Sequence, residues 1–560
     1  MKTNRLYRFA ALILGVSVLA TGCIKETLPM NGAATSGQIE SDPEMELRSK
    51  SAAMHTTLIS TTITGGDYDF GLPSLFAAFD RAIGEVLPSN AYSGGNQYYD
   101  RFQFYAYQMS IGPTGACTLV WHSYYTFIKA ANDVLLLCGD DEDKAETRGI
   151  AKTFRASHYL DLARMYDALP AETDATDYTA ALANVQELTV PIVREGASEA
   201  STRNNPRAKR DEMFQFIFDD LNDAEACLAG VAADSKNIPS LAVVYGLKAR
   251  AYLWLGGFEE GLYDKSVYPD VVTGDEAYKK AAEYARKAIN ESGCTPLTEI
   301  QYCDPITGFN KVNNAWLWGM IQSNETVLSN LHAWAAHMSC NAGWAYGSGA
   351  QPGVRKATYD RMSNSDFRKK IIVGPDTSYA NYKKVTNLTE KEWSTFGLEG
   401  AGMRTYAHLK FRSGQGEKIN SSVGNVVDIP LMRVEEMYFI EAEATAQYNV
   451  AAGTQLIKDF MTQYRDPKYT ISRTADIIEE IIFQKRVELW GEGVLFYDFK
   501  RLNIGLDNAY AGNNTPAGLT FSTNGRCPAW NICIPIAEEQ QNVALKGKNN
   551  PDPSNTIMAM

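Results

Sequence analysis

Along much of the chain the apolar residues recur every three or four positions. Leu135, Ile150 and Phe154, then Tyr159, Leu162, Ala163 and Tyr166, keep this spacing, which puts them on one face of amphipathic helices. The pattern predicts helix pairs from near Ser51 to residue 293. A further helix is expected after Asp476, an N-cap with Glu479 three residues on; Ile478, Ile481, Ile482 and Leu489 share one face and Gly491 ends it. Between residues 294 and 430 the helical period dissolves into stretches rich in Gly, Asn, Trp and Tyr, with short strand-like runs such as 371–373. Trp316 and Trp318 alternate as in a buried strand. Long irregular insertions of this kind usually carry function.

Internal similarity adds a second level. Residues 247–255 (LKARAYLWL) stop at Gly256 and Gly257, and residues 277–289 (AYKKAAEYARKAI) give a second helix studded with alanine. Small residues allow two helices to approach closely, so the pair reads as one tetratricopeptide-like unit, with comparable segments at 155–166, 213–228 and 437–448. Unrelated antiparallel helices would show the same period. The fold class expected is mostly α: a tetratricopeptide-like helical-repeat scaffold over 51–293 and 431–505, a loop-rich and aromatic-rich subdomain over 294–430, a few short strands, and a C-terminal extension over 506–560. Length alone corresponds to about three or four domains, but repeat architecture lets residues 51–560 form a single body.

The N-terminus changes the picture of compartment. Lys2, Arg5 and Arg8 precede an apolar run over 9–20 that is too short to span a bilayer. It ends Leu19-Ala20-Thr21-Gly22-Cys23, which resembles a lipobox, so residues 1–22 read as a lipoprotein signal peptide and Cys23 as the acylated mature N-terminus. Residues 23–50, rich in small and polar side chains without apolar period, read as a flexible tether. A net charge of −13 and a pI near 5.2 repel phosphate backbones, so nucleic acid is not an expected partner. Of nine cysteines, the eight beyond Cys23 show no metal-binding spacing. Cys294 with Cys303, and Cys527 with Cys533, are close enough to bridge, and free buried thiols fit equally well.

Catalytic motifs of the zinc-protease, nucleophile-elbow, phosphate-loop and dinucleotide types are missing. The six histidines are scattered; His332 and His337 are five apart, off the spacing that shared metal ligation favours. Glu441 and Glu443 fall on different helix faces. The acidic run at 140–143 reads as a solvated helix start rather than a calcium loop. No cofactor or metal is expected. A glycosidase carboxylate pair leaves no trace in sequence, so a surface glycoside hydrolase stays as a lesser alternative. The constellation that stands out is aromatic: Tyr92, Asn96, Tyr98, Tyr99 and Arg101 around Gly94-Gly95, and Trp334, Trp344 and Tyr346 in a second glycine-bearing stretch. Sugars present an apolar face that stacks on rings and a rim of hydroxyls that needs planar polar partners. These eight residues are the candidate ligand site; Trp121 is assigned to the core.

Several segments in order resemble the SusD/RagB family. They are Trp121, Tyr125, Ile128 and Asn132 (W-x-x-x-Y-x-x-I-x-x-x-N), residues 151–170 (AKTFRASHYLDLARMYDALP), Val190-Pro191-Ile192-Val193, Pro206-Arg207 and 217–228. The C-terminal half adds 433–444 (RVEEMYFIEAEA), 486–501 (RVELWGEGVLFYDFKR) and Ile534-Pro535-Ile536 with Glu538 and Asn542. Two positions depart: Lys485 stands where members usually carry Glu, and Leu495 where they carry Arg. Arg486, Glu488, Glu492, Asp498 and Arg501 are expected to form buried ion pairs there. The resemblance implies a non-catalytic lipoprotein at the outer membrane, facing the exterior. It would capture glycan oligomers or polysaccharide for a SusC-like TonB-dependent transporter, with RagB-like peptide binding as the alternative.

Overall fold

The computed structural model describes residues 42–89 and 116–560, apart from 172, 174, 234, 324–329, 398–399, 472–475, 517–519, 521, 554–555 and 557–560. The chain divides into two units, Met1–Lys50 and Ser51–Met560. Helix α1 (Pro43–Ser60) starts inside the stretch assigned to the tether, so that assignment is corrected at residues 43–50. The cause is local: Asp42 Oδ1 accepts from the N–H groups of Glu44 (3.1 Å) and Met45 (3.2 Å), and Pro43 opens the first turn.

In the larger unit, α2 (Leu72–Ala82) is followed beyond residue 115 by α3 (Ala116–Cys138), α4 (Ala145–Tyr166), α5 (Arg210–Leu228), α6 (Leu241–Gly256) and α7 (Gly274–Ser292). Consecutive members stack, α3 on α4, α4 on α5, α5 on α6 and α6 on α7. The alanine-studded faces explain the tightest pair: Ala281, Ala285 and Ala288 of α7 are buried, and a side chain at Gly256 would collide with the ring of Tyr278. Helix α7 ends where Gly293 takes φ +60°. The repeat resumes after residue 430 with α8 (Val434–Tyr448), α9 (Val450–Tyr464) and α10 (Ile477–Glu488), α8 packing on α7, α9 and α10, and with the short α11 (Leu495–Arg501). Asp476 caps α10 as expected, accepting from Ile478 and Glu479 N–H, but the helix stops at Glu488, short of Gly491.

Among the described residues of 294–430 no element exceeds six residues. Strand β1 (Trp316–Met320) pairs antiparallel with β2 (Ile429–Arg433), Trp316 opposite Arg433, and every residue of both is buried. The strand-like run at 371–373 is corrected: a 3-10 turn, Phe367–Ile371, leads into a single bridge from Ile372 to His408. Asp141 caps a 3-10 turn, Glu142–Lys144, ahead of α4. Cys294, Cys303, Cys527 and Cys533 are free and buried, and Cys294 Sγ lies 3.3 Å from the Trp316 carbonyl oxygen.

Beneath this surface runs a network of buried charge. Glu488 on α10 accepts from Arg465 (2.7 and 3.0 Å), Arg433 (3.2 Å) and Arg368 (3.2 Å). Glu492 accepts from Arg433 (2.8 and 2.9 Å) and Lys410 (2.6 Å). A second group joins Lys485 to Glu443 (2.9 Å) and Asp498 (2.5 Å), and Arg501 to the same two carboxylates. Each ion is compensated by geometry of this quality, which buried charge requires.

Candidate functional site

The site is anchored on a turn that the sequence pattern did not single out. Asp69 accepts from the N–H groups of Ile63 (2.5 Å) and Thr64, and from the Thr64 hydroxyl (3.1 Å), folding residues 63–69 back on themselves. That turn presents Asp67, whose Oδ2 accepts from the Tyr346 hydroxyl (2.6 Å) and whose Oδ1 lies 3.3 Å from His332 Nε2. The Tyr346 ring stacks on His337 (5.2 Å, 28°), and His337 stacks on Phe70 (4.9 Å, 15°). His337 Nε2 lies 2.8 Å from the Asp67 carbonyl oxygen and 3.0 Å from that of Leu331. Carbonyls only accept, so Nε2 carries the proton. Burial, helped by nearby Arg81, lowers the His337 pKa to about 4, so the imidazole is a neutral slab under Tyr346.

Trp344 stands two positions before Tyr346 in the chain. Its ring lies against Gly424, where any side chain would overlap it, and its Nε1–H donates to Asn425 Oδ1 (3.2 Å). Asn425 in turn donates from Nδ2 to the Asn330 carbonyl (3.0 Å). Trp344 and Tyr346 are both half-buried, each with its polar end tied down. Trp334 is corrected: expected on an exposed loop, it opens the helix Trp334–Met338 at 2% exposure, edge-on to Phe411 (4.9 Å). Its ring fills the interior and presents no face to a ligand.

Tyr92, Asn96, Tyr98, Tyr99 and Arg101 lie outside the described residues. The point at which the chain enters their segment is defined: Ser89 N–H donates to the Ala350 carbonyl (2.7 Å), and Leu87 and Gly353 exchange backbone hydrogen bonds (2.9 and 2.8 Å). Ala350 ends the short helix Tyr346–Ala350, so Ser89 lies at the C-terminus of that helix. Arg404 clamps the junction, donating to the carbonyls of Leu87 (2.5 Å), Pro88 (2.9 Å) and Gln351 (2.7 Å). Asp67, His332, His337 and Arg404 were not among the candidate residues. The Gly65-Gly66 pair before Asp67 was the available signal, since such a turn can hold a side chain against a distant loop. The arrangement offers ring surface beside a carboxylate, amides and an imidazole. Among the described residues no group of three or more His, Cys, Asp or Glu side chains could hold a metal.

Comparison with known proteins bears on this geometry. The SusD family model matches residues 331–549. A SusD-like carbohydrate binding protein from Bacteroides vulgatus is similar at 21% identity over 90% of this chain and 98% of its own, with a TM-score of 0.66. A SusD superfamily protein from Bacteroides thetaiotaomicron is similar at 15% identity over 90% and 99%, with a TM-score of 0.64. A structure solved with a xylogluco-oligosaccharide is similar at 14% identity over 89% and 97%, with a TM-score of 0.59. No curated protein matches the chain.

Proposed function

We propose that this chain, similar to the SusD family over residues 331–549, is a member of it with a non-catalytic binding role: capture of glycan oligomers at Trp344 and Tyr346. In this reading Tyr92, Asn96, Tyr98, Tyr99 and Arg101 complete the site from the segment that starts beside Ala350. The captured oligomer passes to a SusC-like TonB-dependent transporter, and lipid on Cys23 holds the protein at the outer membrane. The observation that carries the proposal is the supported stack of Phe70, His337 and Tyr346, with Asp67 fixing the tyrosine hydroxyl and Trp344 beside it. A ring braced from behind loses little entropy on stacking against a pyranose, and the adjacent polar groups match its hydroxyl rim. Two similar structures, a SusD-like carbohydrate binding protein and one solved with a xylogluco-oligosaccharide, support the same ligand class. The non-catalytic part rests on the missing catalytic motifs.

Calorimetry against a panel of oligosaccharides tests the proposal. Trp344→Ala and Tyr346→Ala should each weaken binding about five- to a hundred-fold, the worth of one stacked ring at about 1–3 kcal/mol. Trp334→Ala is the contrast: it should cost about 3–5 kcal/mol of stability by opening a cavity. Unchanged affinity in both surface variants, or binding by peptides in place of glycans, would remove the proposal.

A further inference from the structure

A cavity of about 50 Å³ lies at the hub of the helical scaffold and shares no residue with the site at Trp344 and Tyr346. Helices α2, α4, α6, α8, α10 and α11 and both strands contribute to its walls, so it sits where the first run of repeat helices meets the second. The charges of those walls are paired with one another. Arg250 donates to the two Glu436 oxygens (2.7 and 2.6 Å) and to the Leu431 carbonyl (2.8 Å). Arg164 donates to Asp161 (2.5 Å), and Lys485 and Arg501 share Asp498 and Glu443. With Glu443 counted behind the lining, four cations meet four carboxylates. The charge balance favours neither an anion nor a cation, and a ligand held here is neutral.

Two polar side chains of the lining stand outside that pairing. His158, on α4, is fully buried, and burial lowers its pKa to about 4 against the opposing pull of Asp161. The imidazole is therefore neutral, with one nitrogen to donate and one to accept. Rings surround it, those of Phe127 (5.3 Å), Tyr124 (6.0 Å) and Phe154 (6.2 Å). The Tyr124 hydroxyl is committed to Asp161 (2.9 Å), so these rings leave the imidazole nitrogens to the cavity. Trp254, on α6, is buried as well. Among the described residues neither nitrogen of His158 nor Nε1 of Trp254 has a hydrogen-bond partner in the protein, and both side chains line the cavity. Buried donors and acceptors keep partners almost without exception. Cavities that stay dry are apolar, which this one is not, and at about 10–15 Å³ for each water it has room for about three or four.

We infer that this cavity is an internal water-binding site, in which a small cluster of waters hydrogen-bonds His158 and Trp254 and joins α4 and α6 to the helices that follow residue 430. The inference is independent of the glycan reading and stands or falls without it. A high-resolution crystal structure of the purified protein tests it directly. Ordered waters should lie about 2.7–3.2 Å from Trp254 Nε1 and from both nitrogens of His158. Crystals pressurised with xenon should show none of the gas there, because xenon enters dry apolar cavities. In solution, magnetic relaxation dispersion of the water oxygen counts the waters that a protein holds for longer than its own tumbling. His158→Phe keeps a ring in the same place and removes both nitrogens, and it should lower that count by about one or two. A dry cavity, a cavity closed by a neighbouring side chain, or xenon bound in it would overturn the inference. So would an unchanged count in folded His158→Phe. Should that variant not fold, the parent crystal and its response to xenon still decide the question.

Discussion

Asp80, on α2, is fully buried, and among the described residues neither carboxylate oxygen has a hydrogen-bond partner. Burial raises its pKa to about 8; the nearby N–H groups of Gly493 and Gly491 offset part of the effect and Glu85 adds to it. An acid whose folded pKa is raised holds its proton while the unfolded chain has lost it. Stability therefore falls as pH rises from the ordinary value of 3.8 toward 8, by up to about 1.4 kcal/mol per pH unit, and levels off above that. Asp80→Asn keeps the shape and cannot ionise. In urea unfolding from pH 5 to 9 the variant should gain on the parent with each step up to about 8, whereas a constant difference would show that Asp80 does not titrate in this range. Nothing in the local pattern around Asp80 announced this, because Gly491 and Gly493, which lie near its carboxyl, are more than four hundred positions away in sequence. The same limit separated the tryptophans. Trp334 and Trp344 stand in one glycine-bearing stretch, and the sequence treats them alike; the first is buried edge-on to Phe411, and the second is half-buried against Gly424 with its Nε1–H on Asn425. Asp67 meets Tyr346 across 279 positions, a separation no spacing rule reaches. The rings of the proposed site could be named from sequence, but not the carboxylate that braces Tyr346.

Elements were more legible because their signals are local. The apolar period predicted the helix pairs, the alanine faces predicted the close approach of α6 and α7, and Asp476 caps α10 as read. The polar positions of the segment after Asp476 also fell where expected, in buried ion pairs. The two departures from the family pattern are accommodated: Lys485 lies between Glu443 and Asp498, where a third carboxylate would be repelled, and Leu495 is fully buried. The centre of this architecture is Glu488, at which three guanidiniums converge. Those cations hold its carboxyl well below the ordinary value of 4.5 against the opposing effect of burial. A depressed carboxylate contributes stability that is complete above that ordinary value and is lost only as pH falls beneath it. Glu488→Gln should cost about 3–5 kcal/mol at neutral pH, because it leaves buried positive charge uncompensated. Urea unfolding at pH 7 measures the loss, and a change below about 1 kcal/mol would mean that Glu435, Glu492 and Asp366 suffice without it.

At the scale of the whole molecule, the scaffold follows from short-range pattern and the site from long-range closure. Strands β1 and β2 lie more than a hundred residues apart, and the Leu87–Gly353 bridge joins the start of the body to its loop-rich part. Each closure fixes loops whose own residues show no period, which is why the geometry of the region from 294 to 430 could not be read from sequence. The proposed membrane attachment rests on the first residues of the chain. Lys2, Arg5 and Arg8, the apolar run to Ala20 and Thr21-Gly22 before Cys23 resemble a lipoprotein signal, and these residues lie outside the described ones. Among the described residues no helix is long and apolar enough to cross a bilayer. A lipid on Cys23 would supply the attachment, since acyl chains bury about 0.8 kcal/mol per methylene and more than one chain gives a stable anchor. Mass spectrometry of the membrane-bound protein should find an N-terminal peptide that begins at acylated Cys23. Cys23→Ala should move the protein from the membrane fraction to the soluble one after a salt wash that strips peripheral contacts. A variant that stays lipidated and membrane-bound, or a mature N-terminus elsewhere, would show that attachment does not run through this cysteine.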